Sequence, residues 1–95
     1  MTVEELIGTM RMSGDEITNC MKIGKQVSAV LDESDASFLD AMHILAFMLG
    51  SATNILANES GVSLDVAIEA ASMLVKSSAE VHSRAYSSPE GMMPN

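Results

Sequence analysis

The chain has 95 residues, with 13 acidic side chains against 5 Lys or Arg and a formal net charge of −8. That length suits a single domain. The charge argues against direct binding to nucleic acid, whose affinity comes largely from neutralised phosphates, and against anionic membrane surfaces for the same reason. Aromatics make up 3%, as Phe38, Phe47 and Tyr86, while nine Met join Leu, Ile, Val and Ala in the apolar set. Ala, Leu and Met favour helix and carry no strand signal, so an all-α fold is expected.

The first helix is expected over about Val3 to Met12. Thr2 and Glu5 fit the S/T-x-x-E capping box, in which each side chain satisfies a free backbone N–H of the partner residue. Ser13 and Glu16 repeat the pattern and open a second helix reaching about Leu31. Its apolar positions Ile17, Cys20, Met21, Gly24, Val27, Val30 and Leu31 follow steps of three and four. Gly24 inside that helix costs about 1 kcal/mol relative to Ala, and such a glycine often marks close approach of a backbone or a ligand.

The polar run Asp32-Glu33-Ser34-Asp35 separates the second helix from a third. Ser34 or Asp32 is the expected cap, with the helix running from about Asp35 to Ala57. Phe38, Met42, Leu45, Leu49, Ala52 and Leu56 form a heptad-like seam. Ile44, Phe47, Met48 and Ile55 form a second stripe beside it. The helix is thus apolar nearly all round, which predicts burial on most sides. No charged residue falls between Ala41 and Asn58, a run at the lower limit for a membrane span. The flanks, Asp40 and Glu59, are acidic where a span usually carries Lys or Arg, so a buried core helix is expected and a membrane is not.

Gly61 is the expected left-handed terminator of the third helix. Ser63 caps a fourth, with Leu64, Ile68, Ala71, Leu74, Val75, Ser78 and Val81 on its apolar face, fading near Ala85. Short links favour antiparallel neighbours, so a small antiparallel bundle of about four helices is expected. Small residues Ala46, Gly50, Ala57, Ala67, Ala70, Ala71 and Ser72 should line the hairpin of the last two. The domain spans residues 1–86, and 87–95 reads as a flexible tail.

One chain of this size cannot shelter both stripes of the third helix. About 500 Å² left wet would forfeit on the order of 10 kcal/mol, comparable to the whole stability of a small domain. Self-association as a homodimer or higher oligomer is therefore expected, through Phe38, Met42, Ile44, Leu45, Phe47, Met48, Leu49 and Ile55.

Catalytic patterns such as G-x-S-x-G, H-E-x-x-H, C-x-x-C and Walker A are missing from the sequence, and no acid–base set is evident. The expectation is a non-enzymatic protein without cofactor or metal. His43 reads as a partly buried, hydrogen-bonded residue, and His82 as a favourable group near a helix C-terminus. Cys20, the only cysteine, reads as core rather than nucleophile. A lone cysteine and an acidic N-terminus without a signal-peptide pattern fit a reducing cytoplasm.

The basic residues are few and concentrated. Arg11, Lys22 and Lys25 lie in the first 25 residues, Lys22 and Lys25 share a helix face, and Gly24 lies between them. Ordinary pairing with nearby acids is one reading. A pocket for a small anionic ligand such as a nucleotide, completed between copies, is the other. The acids admit a nucleic-acid mimic, although Glu4, Glu5, Asp15, Glu16, Asp35 and Asp65 sit where helix starts favour them. In type alone, small, acidic and helical, the chain resembles the accessory proteins of phages and mobile elements, a likeness that carries no residues. The reading that follows is a helical oligomer that occupies an unknown protein partner as adaptor or inhibitor, with anion sequestration and nucleic-acid mimicry as alternatives.

Overall fold

The computed structural model describes residues 1–87, and the tail expected over 87–95 lies outside them except for Ser87. The described residues are all helical with no strand: α1 (Val3–Thr9), α2 (Gly14–Glu33), α3 (Phe38–Ser60) and α4 (Leu64–Ser87). Each start is set by a side chain that satisfies orphan backbone donors. The Thr2 N–H donates to Glu5 Oε1 at 2.9 Å, and the Glu5 N–H returns to Thr2 Oγ1 at 3.1 Å. Ser13 and Glu16 form the same reciprocal pair at 2.8 and 3.2 Å. Ser63 Oγ accepts from the Val66 N–H at 3.2 Å.

The start of α3 differs from expectation. Neither Ser34 nor Asp32 caps it. Ser37 does, in a third capping box with Asp40 at 3.2 and 3.1 Å. Ser34 instead closes α2, which runs on to Glu33. The Ala36 N–H donates to the Leu31 carbonyl and the Asp35 N–H to the Asp32 carbonyl, both at 3.1 Å. This is the paired bonding of a Schellman motif, with Asp35 in the left-handed position at φ 56°. Aspartate tolerates that conformation better than most non-glycine residues. The four-residue link from Ser34 to Ser37 is thus held by hydrogen bonds on both sides. At the other end of α3, Gly61 takes the left-handed position at φ 66°, as expected, and Val62 bonds back to the Ala57 carbonyl at 3.1 Å.

Among the helices, α3 packs on α4 and α1 packs on α4. The core is small: Leu6, Ala57, Ala67, Ala70 and Ala71, with Thr53 as the buried polar residue. Thr53 Oγ1 donates to the Leu49 carbonyl at 2.7 Å, so it is not left unpaired inside. Alanine-rich faces let α1, α3 and α4 sit close but bury little area per residue. α2 has no buried residue at all.

The acidic caps carry a pH dependence. The Thr2 backbone N–H, and then its side chain, hold the Glu5 carboxyl below its ordinary pKa, and Ser13 does the same for Glu16. A group whose folded pKa is depressed contributes stability above its unfolded pKa and loses it as pH falls through the folded value. Helicity followed by circular dichroism should therefore hold from neutral pH to the carboxylate range and decline below it. In the Glu5→Gln, Glu16→Gln double variant that decline should be shallower; an identical acid titration would show that the two boxes do not couple to folding.

Candidate functional site: an uncovered apolar face and a groove

The structure does not wrap α3. Thr53 and Ala57 are its buried residues. Burial on most sides, expected from the all-round apolar sequence, is not met within one chain. The seam meets α4 only toward its C-terminal end, where Leu56 is half-buried. Its N-terminal half is bare, with Phe38 at 94% and Met42 at 70% exposure, and Leu45 and Leu49 also exposed. The second stripe faces water throughout: Phe47 is 80% exposed, and Ile44, Met48 and Ile55 are exposed with it. On α2, Ile17, Met21 and Val30 are likewise exposed.

Surface area puts a size on this. The chain exposes 7588 Å², against about 5,300 Å² for an ordinary compact chain of its mass. Allowing the residues beyond 87 the full unfolded-chain value of about 1.45 Å² per dalton removes about 1,300 Å² of the excess. At least about 1,000 Å² remains beyond what a self-sufficient monomer shows.

α3 is also long and apolar enough to cross a membrane by length and composition. Against a span stand its acidic ends at Asp40 and Glu59, together with Ser51, Thr53, Asn54 and Asn58 along it. The exposed apolar side chains of α2 and α4 would not be covered by such an insertion either.

A second feature lies where α3 meets α4. An open groove of about 640 Å³ is lined by small residues Ala46, Gly50, Ala71 and Ser72 and by aliphatic Leu49, Leu64, Ile68 and Val75. Thr53, Asn54, Ser72 and Lys76 are its polar residues. The expected small-residue lining thus divides. Ala57, Ala67, Ala70 and Ala71 bring the helices together, whereas Ala46, Gly50 and Ser72 face the groove. A Cβ added at Gly50, or at Gly24 on α2, meets nothing within 4 Å. Each glycine weakens its helix by about 1 kcal/mol, and nothing within the chain needs either to be small.

The candidate ligand residues are placed as follows. Lys22 and Lys25 lie one turn apart on α2, and Arg11 in the non-helical link before it; all three are exposed. Among the described residues no hydrogen bond or ion pair joins them to an acid, so the pairing reading is not met there. Helix geometry turns Gly24 about 100° from Lys25, toward the side of Ile17, Met21 and Val27. His43 is exposed rather than partly buried. His82 Nδ1 pairs with the Ser78 carbonyl at 2.8 Å, within its own helix. Cys20 is exposed rather than core, with Sγ 3.6 Å from Met12 Sδ. No group of three or more His, Cys, Asp or Glu is arranged for a metal among the described residues.

Compared with protein-family models, curated proteins and solved structures, the chain matches none.

Proposed function

We propose that this chain is a non-enzymatic helical binding protein that works as a homo-oligomer, with α3 and α4 as an antiparallel hairpin, and acts on a protein partner as adaptor or inhibitor. The observation that carries the reading is the uncovered apolar face of α3, on a chain that exposes at least about 1,000 Å² more total surface than a compact monomer. Stable interfaces bury about 800 Å² per partner, so the excess suffices for a strong assembly. Its outer stripe of Ile44, Phe47, Met48 and Ile55 is the first surface a second copy would cover. Sedimentation equilibrium in detergent-free buffer at micromolar concentration should give a dimeric or larger mass. A monomer in solution, or a chain recovered only with lipid or detergent, would remove the reading.

A second reading is supported by the unpaired bases. Lys22 and Lys25, exposed and without an acid partner among the described residues, suit a small anionic ligand such as a nucleotide, to which Arg11 of the same or another copy adds charge. A ligand that binds the folded state raises the melting temperature with its excess. Nucleotides should therefore raise it in the wild type and not in Lys22→Ala; equal melting curves for the two across a nucleotide panel would rule this out.

A further inference from the structure

We propose that the groove between α3 and α4 is the seat for α2 of a second copy of this chain, the exchange being reciprocal. The proposal rests on the self-association reading and names the segment that enters. α2 is a helix of 20 residues without a buried one. Its apolar stripe of Ile17, Met21, Gly24, Val27 and Leu31 spans about 21 Å at the α-helical rise. The α4 side of the groove, Leu64 to Lys76, spans about 18 Å by the same measure. The lengths match, and Ile17, Met21 and Gly24 of the stripe are exposed while Val27 and Leu31 are half-buried.

Two glycines inside long helices give the contact its register. Gly24 lies at the middle of the stripe and Gly50 in the groove, and neither is crowded within its own chain. An interior glycine weakens a helix, and its use is the close approach of another backbone. One α2 laid in the groove gives both a reason to be small, and Ala46 and Ser72 keep the same path clear.

The occupant is a second copy rather than the chain's own α2 because of the link. The bonds from Ala36 to Leu31 and from Asp35 to Asp32, with the Ser37–Asp40 box, fix how α2 leaves α3. Folding α2 back onto its own groove would have to break them across four residues. Area agrees: each chain both gives a helix and receives one, and the excess of at least about 1,000 Å² covers the roughly 800 Å² per partner of a stable pair.

The test uses the whole purified chain. In Gly24→Leu the new side chain points into open space on a single chain, so helicity should be retained. Across copies it fills the approach, so the sedimenting mass should fall and association should weaken at least tenfold. Ser72→Cys supplies a second readout. Under mild oxidation its thiol should join Cys20 of another copy in a covalent dimer on a non-reducing gel, and Ser72→Cys in a Cys20→Ser background should give none. A monomeric wild type would defeat this inference together with the self-association reading. An assembled wild type whose mass is unchanged by Gly24→Leu would overturn the inference alone. So would a cross-link within one chain, or equal dimer in the Cys20→Ser background. If Gly24→Leu lost helicity, the cross-link would decide.

Discussion

Phe47→Glu is expected to leave the fold of the single chain intact and to remove one of its self-contacts. Phe47 is 80% exposed on α3. On a lone chain a substitution there should change stability by no more than about 0.5 kcal/mol. Against a second copy the glutamate would be an unpaired charge taken out of water, at a cost of about 3–5 kcal/mol. That difference weakens association by roughly 10²- to 10³-fold or more. Sedimentation velocity over a concentration series reads it directly, with circular dichroism as the control for fold. Equal association constants for variant and wild type would show that the outer stripe of α3 is not a contact between copies. The groove and the outer stripe lie on different sides of the molecule. Two separate self-contacts allow assemblies larger than a dimer, so Phe47→Glu and Gly24→Leu should each leave a smaller oligomer and together a monomer.

The helices were legible in the sequence wherever a signal is local. A capping box joins a side chain to a backbone group three residues away, so Thr2 with Glu5 and Ser13 with Glu16 could be placed without knowing the fold. The start of α3 was not, although Ser37 and Asp40 carry a related pattern. The run from Asp32 to Asp35 offers several cap residues at once, and the turn there is made by Asp35 at φ 56° rather than by the glycine that usually marks one. At Gly61, where glycine does make the turn, the terminator was read correctly, although the helix runs on to Ser60 rather than stopping near Ala57.

Burial was legible only as a demand. The two stripes of α3 show which side chains need cover, and the chain leaves both largely bare. Periodicity describes one helix at a time and does not say which helix, or which copy, supplies the other surface. The same holds for α2, whose amphipathic stripe is clear while its partner is not. The groove was less visible still, because residues around Gly50 and Ser72 become neighbours only once α3 and α4 pack. Its one sequence signal was the run of small residues, and that signal does not separate those that bring helices together from those that leave room for a third. Cys20 and His43 were misplaced for a related reason: both were assigned to surfaces that the single chain does not cover.

Leu6→Ala should have the largest effect on the chain itself. Leu6 is the largest side chain that is fully buried, and the rest of the apolar core is alanine. Truncating a buried leucine costs about 2–5 kcal/mol, through lost transfer energy and the cavity left behind. α1 has 7 residues, too few to be stable as a helix in water, so its helicity depends on docking to α4. Loss of Leu6 should therefore release α1 as a unit rather than soften the whole molecule. Amide exchange over Val3–Thr9 should accelerate by at least about tenfold, while exchange in the middle of α3 and α4 changes less. The part of α4 that α1 covers would add to an already large apolar surface, so weaker solubility should accompany the change. Equal exchange rates over α1 in variant and wild type would mean that something other than Leu6 holds it, and in this structure the candidate is Met10, half-buried beside Leu56 and Leu74 at the other end of the same contact.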